Sequence, residues 1–319
     1  MKILITGGAG FIGSHACKKL SELGHEIIIV DNFNDYYDPQ LKRARINEFL
    51  KGVPLKVYET DIRDYQALKK VFVENKIDKI LHLAAQAGVL YAKENPFIYV
   101  QTNIEGTLNL LELAKDFQIQ QFVYASSSSV YGGNAKTPFS ENDEIKTPLS
   151  VYAASKIATE NLAYTYHHIY NLPCTGLRFF TVYGPWDRPD MALFNFTKKI
   201  LTNQPIEIRG YGKLKRNFTY INDIIDGLVK SLEKIFPFEI FNLGGNGSID
   251  LETYVNLIEK YLTKKAIKNY TEMQIGEMEV TFADTSKATR LLEFKPKTPI
   301  EEGIKTYITW FLNYYKEIA

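Results

Sequence analysis

Two titratable side chains stand four residues apart in the segment SVYAASK, where Tyr152 precedes Lys156. Residues four apart share one face of a helix, so the phenol and the ammonium group would lie on the same side. A free tyrosine has a pKa of about 10 and needs a nearby positive charge to act as a base at neutral pH. The pair could therefore carry acid–base chemistry, although the spacing alone also fits an ordinary amphipathic helix.

A glycine-rich turn near the N-terminus could bind phosphate. In KILITGGAGFIG, Gly7, Gly10 and Gly13 follow an apolar strand pattern with the spacing G-x-x-G-x-x-G, and a helical pattern comes next. A pyrophosphate at a helix N-terminus needs free backbone N–H groups and no Cβ atoms in the way. The turn, with Phe11 and Ile12 at the start of the helix, is therefore the predicted dinucleotide-binding loop.

An acidic residue follows this loop at the sequence spacing that is typical of dinucleotide-binding folds. The strand pattern EIIIV ends at Asp31, 18 residues after Gly13. Dinucleotide-binding folds place the acid that binds the adenosine ribose about 20 residues on, which favours a ligand site over a simple tight turn. A carboxylate there repels a 2′-phosphate, so NAD is favoured over NADP. Nearby basic residues keep NADP open as the alternative: Lys42, Arg43 and Arg45.

Short apolar runs alternate with longer helical patterns over the first half of the chain. The strand candidates are KILIT, EIIIV, LKVYE, KILHL, QFVYA and TGLRFF. Their order predicts an α/β fold, a Rossmann-type doubly wound parallel sheet covered by helices on both faces. After about residue 180 the pattern loosens into loops rich in Gly and Pro. We expect an NAD-binding domain over 1–180, with returning segments near 217–243, and a smaller, mainly substrate-binding α/β domain over 181–319.

Composition excludes several classes of protein. The 319 residues are 45% hydrophobic, and 38 basic against 37 acidic side chains give a net charge of +1. A neutral chain gives no reason to expect nucleic acid or an anionic membrane as partner. Cys17 and Cys174 lie in apolar stretches, and the N-terminal apolar run is too short for a signal peptide, so we expect a cytoplasmic protein. The five histidines lack metal-ligand spacing, so no metal is expected.

Together the glycine turn, the Tyr–Lys pair and the serine cluster in YASSSSVYG resemble the extended short-chain dehydrogenase/reductase family, which acts on nucleotide sugars. The resemblance implies that Tyr152 is the general acid/base and that Lys156 binds the nicotinamide ribose and favours the phenolate. It implies that Ser127 orients the reacting hydroxyl. It also implies further cofactor contacts around the strand ends: Asn32, Asp61, Ile62, Leu83, Ala84 and Ala85.

The serine cluster separates the reactions that this scaffold supports. Dehydratases of the family carry an Asp–Glu pair in TDEVYG, and decarboxylases carry a glutamate in SSEVYG. Here Ser128 and Ser129 occupy these places, and neither can act as an acid or base near neutral pH. Simple removal and return of a hydride, as in a 4-epimerase of a UDP-sugar, fits best. A non-enzymatic dinucleotide sensor is the alternative from another class, but it predicts loss of the tyrosine or lysine.

Several segments, including RFFTVYGPWDRPDMALF, resemble UDP-glucuronate 4-epimerases of the capsule-synthesis type. The resemblance implies that hydroxyl groups hold the sugar carboxylate and that two arginines contact the substrate, one of them at its diphosphate. The implied residues are Ser128, Ser129, Thr181, Arg188 and Arg216. One segment departs from the family, because AGVLYA stands where AGVRYS is usual and Leu90 replaces an arginine. UDP-glucose or UDP-N-acetylglucosamine is therefore the alternative substrate.

Two helical patterns, PFIYVQTNIEGTLNLLELAKDF and VYAASKIATENLAYTYHHIY, carry apolar residues on more than one face. One face would cover the sheet. The second apolar face would pair with a second copy of the chain, as in the four-helix dimer of the family, so we expect a homodimer.

Overall fold

The computed structural model describes residues 1–134, 136–274 and 277–318. The strands run in chain order as β1 Lys2–Thr6, β2 Glu26–Asp31, β3 Leu55–Glu59, β4 Lys79–His82, β5 Gln121–Ser127, β6 Cys174–Phe179, β7 Thr181–Tyr183, β8 Pro205–Arg209, β9 Lys215–Arg216, β10 Phe218–Tyr220, β11 Phe238–Leu243, β12 Ile249–Asp250 and β13 Ile267–Thr271. The helices are α1 Phe11–Glu22, α2 Pro39–Ala44, α3 Tyr65–Glu74, α4 Tyr91–Glu94, α5 Pro96–Tyr99, α6 Gly106–Asp116, α7 Val151–Tyr170, α8 Ala192–Leu201, α9 Ile221–Glu233, α10 Leu251–Leu262, α11 Ser286–Leu292 and α12 Ile300–Tyr314.

A seven-stranded sheet forms the centre of the molecule, in the order β11-β6-β5-β4-β1-β2-β3. Every neighbouring pair in it is parallel. The strand order reverses at β1, so the chain is wound in both directions from this strand, which is the doubly wound arrangement. The prediction of a Rossmann-type parallel sheet is confirmed, and all six predicted strands belong to it.

Alternate residues of the central strand β1 pack into two separate cores. Ile3 and Ile5 face a cluster that includes Phe11 of α1, whereas Leu4 between them faces a second cluster with Ile28. Successive side chains of a strand point to opposite faces, so a fully apolar strand is buried on both sides. Helices must therefore cover both faces of the sheet.

The second half of the chain returns to the main sheet. Strand β11 pairs in parallel with β6, in register from Phe238 with Cys174 to Leu243 with Phe179. The other late strands form three two-stranded sheets, β7 with β10, β8 with β13 and β9 with β12. Among the described residues, no helix is long and apolar enough to cross a membrane.

Candidate active site

The glycine loop between β1 and α1 has no room for a side chain at Gly7, Gly10 or Gly13. Gly7 adopts a left-handed conformation with φ of 71°. A Cβ atom on Gly13 would lie 2.1 Å from the carbonyl oxygen of Gly7, and one on Gly10 would lie 2.9 Å from the same atom. The bare loop leads directly into the N-terminus of α1, so its geometry fits the pyrophosphate of a dinucleotide.

Asp31 closes the cofactor side of the site at the end of β2. The carboxylate accepts hydrogen bonds from the backbone N–H groups of Ala9, at 3.0 Å, and Phe33, at 2.9 Å. Burial raises the pKa of Asp31, and these two bonds oppose that rise. The residue is 8% exposed and lines the cavity beside the glycine loop, as an acid that binds a ribose must.

All three basic residues that could contact a 2′-phosphate already have hydrogen-bond or ion-pair partners. Arg43 pairs with Glu59 at 3.1 Å on the surface, and Arg45 is fully buried with its donors on backbone carbonyls and a tyrosine hydroxyl. Lys42 lines the cavity but donates to the backbone and side-chain oxygens of Asn34, both at 2.7 Å. The arrangement favours NAD over NADP.

The first turns of α7 carry the tyrosine and the lysine. The Ser150 side chain caps the helix by accepting from the N–H of Ala153 at 3.1 Å, and Tyr152 follows in the first turn. The ammonium group of Lys156 donates to the carbonyl of Ala125 on β5 at 2.8 Å. Burial lowers the pKa of Lys156 to about 8, while the negative charge of Glu160 opposes the shift.

The Tyr152 hydroxyl faces the end of β5. Burial raises the pKa of Tyr152, and a hydrogen bond with Ser127 and the positive charge of Arg188 both oppose this rise. The Ser127 hydroxyl in turn accepts from the N–H of Ser129 at 3.1 Å. A ligand hydroxyl placed beside Tyr152 and Ser127 could therefore exchange its proton with the phenol.

A buried ion pair fixes α7 against the sheet beneath these residues. Arg178 of β6 donates to both carboxylate oxygens of Glu160, at 2.8 and 2.7 Å, and Ser126 donates to the same carboxylate at 2.5 Å. Both partners of the pair are 3% exposed. Glu160 lies one turn after Lys156, so the network sets the register between α7 and the strand that carries the serine cluster.

One cavity of about 440 Å³ brings most of the predicted site residues together. Those that line it are Gly7, Gly10, Phe11, Ile12, Gly13, Asp31, Asn32, Ile62, Leu83, Ala84, Ala85, Ser127, Ser128, Ser129, Tyr152, Lys156, Thr181 and Arg188. Among the residues that the structure describes, Asp31 is the one carboxylate in this lining. The sugar end of the cavity thus offers hydroxyl groups and an arginine, without the acid–base pair that a dehydratase uses.

Two predicted site residues lie outside the cavity lining. Asp61 accepts from Asn32 at 2.8 Å and pairs with Arg63 at 2.8 Å, next to lining residue Ile62. Arg216 of β9 donates to the backbone carbonyls of its neighbour Lys215, at 3.0 Å, and of Glu279, at 3.3 Å. The predicted roles of Asp61 as a cofactor contact and of Arg216 as the substrate contact at the diphosphate stay predictions.

Other lining residues escaped the sequence analysis as site residues. They come from loops after β2 and β4, from the helical segment before α6 and from the turn before α8: Tyr36, Tyr37, Gln86, Thr102 and Met191. A tyrosine in a loop has no periodic signal. Tyr36 donates to Asp190, 154 residues away, at 3.1 Å, and such a contact appears only in the fold.

Leu90, the departure from the family pattern, does not line the cavity. It precedes the short helix α4 and is 37% exposed. Ala92, which replaces the usual serine of the pattern, is 2% exposed. Leu90 itself therefore contributes nothing to the described lining, although its neighbours Gly88 and Val89 belong to it.

Comparison with known proteins identifies the family of the chain. The model of the NAD dependent epimerase/dehydratase family matches residues 3–244. The chain belongs to this family. Among similar proteins, UDP-glucuronate 4-epimerase of Thermodesulfobacterium geofontis is 46% identical over 308 residues, which cover 96% of this chain and 95% of that protein.

Solved structures of the family share the whole fold. UDP-glucuronic acid 4-epimerase of Bacillus cereus, in complex with UDP-glucuronic acid and NAD, has a TM-score of 0.92 and 36% identity over 99% of this chain and 100% of that one. UDP-glucose 4-epimerase of Thermotoga maritima with UDP-glucose has a TM-score of 0.90 and 31% identity, covering 98% of this chain and 99% of that one. The close structural neighbours of the chain therefore include one epimerase in complex with UDP-glucuronic acid and another with UDP-glucose.

Proposed function

We propose that the chain is an NAD-dependent UDP-glucuronate 4-epimerase, which interconverts UDP-glucuronate and UDP-galacturonate through a 4-keto intermediate. One observation carries the proposal: Ser128, Ser129 and Thr181 line the same cavity as Tyr152 and Lys156, with no second carboxylate among the described lining residues. The names of the relatives from T. geofontis and B. cereus support the same substrate.

The chain's own residues divide the work of the reaction. The glycine loop and Asp31 would hold NAD, which would supply a hydride acceptor and donor for C4 of the sugar. Tyr152 takes the proton of the 4-hydroxyl and gives it back, Ser127 orients that hydroxyl, and Lys156 stabilises the phenolate as a cation. The flat keto sugar turns about its bonds to the diphosphate between the two transfers, so the pocket must hold the nucleotide firmly and the ring loosely.

The hydroxyl groups at the sugar end protect the intermediate. A 4-ketouronic acid is a β-keto acid, which loses CO₂ when the carboxylate turns perpendicular to the carbonyl. Ser128, Ser129 and Thr181 can donate to the carboxylate and hold it in the plane of the carbonyl. Each such hydrogen bond to a charged group is worth about 1.5–3 kcal/mol, so two or three replace a missing arginine.

UDP-glucose remains the second candidate because of Leu90. An apolar residue near the substrate would tolerate a neutral hydroxymethyl group better than a carboxylate. Leu90 lies outside the cavity lining, however, whereas the three hydroxyl residues lie within it. We therefore favour the uronate.

We also propose that residues 1–180, with the returning segments near 217–243, bind NAD and that 181–319 mainly binds the UDP-sugar.

We further propose that the enzyme is a cytoplasmic homodimer. Both cysteines are free and buried, which fits a reducing compartment such as the cytoplasm. Helices α5 and α7 leave Phe97 79% exposed and Tyr164 53% exposed, which supports a paired surface.

The substrate assignment is tested by Ser128→Ala and Thr181→Ala. Each variant loses one donor to the carboxylate, so we expect the KM for UDP-glucuronate to rise about tenfold or more, since that bond is worth about 1.5–3 kcal/mol. We also expect more CO₂ and a UDP-pentose among the products. Thr309→Ala, exposed on α12, is the matched control and should behave as wild type. Unchanged KM and unchanged CO₂ release in both site variants would contradict the assignment.

A further inference from the structure

Arg45 is the largest polar side chain with no exposed surface in the described structure. It follows α2, and every N–H of its guanidinium group has an acceptor. Nε and one terminal nitrogen donate to the carbonyl of Trp186, at 3.0 and 2.8 Å, and that terminal nitrogen also donates to the carbonyl of Asp187 at 3.1 Å. The other terminal nitrogen donates to the carbonyl of Ala9, at 3.0 Å, and to the Tyr37 hydroxyl, at 2.6 Å. Five donors fixed in one plane hold their acceptors in one geometry.

On the cofactor side, Arg45 holds the glycine loop. The carbonyl of Ala9 accepts from Arg45, while the N–H of the same residue donates to Asp31 at 3.0 Å. The backbone of Ala9 is therefore fixed from both sides, between two glycines that would otherwise be free to move. The position of the predicted pyrophosphate-binding loop depends on both contacts.

On the substrate side, Arg45 holds the turn that presents Arg188. Trp186 has a left-handed backbone with φ of 67°, which is uncommon for a bulky residue and persists only where the surroundings enforce it. Its ring packs on Tyr314, with centroids 4.6 Å apart. Arg188 follows two residues later, lines the cavity and donates to both oxygens of Asp190, at 2.9 and 2.7 Å.

We propose that Arg45 is a positioning residue that joins the two halves of the active site, holding the glycine loop through Ala9 and the Arg188 turn through the carbonyls of Trp186 and Asp187. The inference rests on the proposed function in one respect, that Arg188 contacts the UDP-sugar. It gives Arg45 a role toward the substrate although the residue does not line the cavity. All five of its hydrogen bonds go to neutral oxygens, which leaves no donor for a 2′-phosphate.

The test is a double-mutant cycle on the purified holoenzyme, with Arg45→Lys and Arg188→Ala singly and together. Lysine keeps the charge but cannot span the acceptors. The measured quantities are KM and kcat for whichever UDP-sugar the wild type epimerises, and the NAD that stays bound per chain. Arg290→Lys, exposed on α11, is the control for an arginine-to-lysine change. Because the cycle uses the sugar that the enzyme accepts, failure of the uronate assignment would not affect it.

We expect Arg45→Lys to raise KM about tenfold in the wild-type background and to lower the bound NAD, and to raise KM by less than about twofold when Arg188 is already alanine. If Arg45→Lys does not fold, Arg45→Gln, which retains two N–H donors without a buried charge, replaces it in the same cycle. Equal rises in KM in both backgrounds, or a lower melting temperature with KM unchanged, would show that Arg45 only stabilises the fold. An Arg188→Ala variant with wild-type KM would overturn the proposal as well.

Discussion

At the scale of single residues, burial shifts the pKa values of Tyr152 and Lys156 in opposite directions, away from each other. It raises the pKa of Tyr152 and lowers that of Lys156 to about 8, so each group is driven toward its neutral form. Glu160 opposes the shift of the lysine, and Ser127 and Arg188 oppose that of the tyrosine. The site therefore depends on a lysine whose charge is lost close to physiological pH.

This dependence predicts an alkaline limit to the reaction. Lys156 is a cation below pH about 8 and neutral above it, and the phenolate of Tyr152 loses its stabilising charge when the lysine is neutral. We expect kcat to fall as the pH rises through about 8, measured with saturating UDP-sugar between pH 6 and 10. In Lys156→Arg, which stays charged throughout, the residual rate should show no such fall. A wild-type kcat that still increases at pH 9.5 would refute this role of the lysine.

The spacing of Tyr152 and Lys156 is a local feature and predicts that they share one helix face, whereas the role of Ser127 follows from the family resemblance. The sequence left Arg45 open as a contact for a 2′-phosphate, whereas in the structure its guanidinium group is buried on neutral acceptors. Its acceptor at Trp186 lies 141 residues along the chain. Local sequence shows the charge of an arginine but not which distant carbonyls will surround it.

At the scale of elements, the loop between β1 and α1 depends on its last glycine. A Cβ atom on Gly13 would meet the carbonyl oxygen of Gly7 at 2.1 Å, so Gly13→Ala must push the loop away from the helix. We expect the purified variant to lose most of its NAD and to be less stable by about 1–3 kcal/mol, the usual cost of overpacking. Gly247→Ala is the control, since its Cβ would meet nothing within 4 Å. Full NAD content in Gly13→Ala would contradict this account of the loop.

Regular elements were predictable where apolar periodicity was strong. The pattern KILIT predicts both ends of β1 correctly. Strand β5 continues two residues beyond the predicted QFVYA, to Ser127. The long helix pattern from Pro96 is interrupted by a wide π-helical stretch, Val100–Glu105. There Asn103 bonds both the N–H and the carbonyl of Gln86, at 2.7 and 3.0 Å, and this tertiary contact has no counterpart in helical periodicity.

At the scale of the whole molecule, the apolar surface of α5 and α7 predicts self-association. Light scattering at micromolar concentration should give twice the 36.5 kDa of one chain. Phe97→Asp, which places a charge on the most exposed large apolar side chain described, should shift the population toward monomers. Val73→Asp, with 69% exposure on α3, is the control and should remain dimeric. A monomeric wild type would exclude the predicted dimer.

The fold as a whole brings the carboxyl ends of β1, β2, β4, β5 and β6 to one edge, where the second half of the chain covers them with Thr181 and Arg188. The parallel sheet could be predicted from the order of strands and helices. The pairing of β11 beside β6 depends on contacts far apart in sequence. The junction at Arg45, where the two halves of the site meet, also depends on contacts far apart in sequence.

The most direct test is product analysis with the purified enzyme and UDP-glucuronate, without added NAD. Because NAD is restored in each cycle, we expect anion-exchange chromatography to show UDP-galacturonate with little CO₂, and only weak turnover of UDP-glucose and UDP-N-acetylglucosamine in parallel. Tyr152→Phe should bind the substrate but react about 10²–10⁴ times more slowly, the usual loss when a general acid/base is removed. An enzyme that epimerises UDP-glucose well and leaves UDP-glucuronate untouched would contradict the assignment of the carboxylate to Ser128, Ser129 and Thr181.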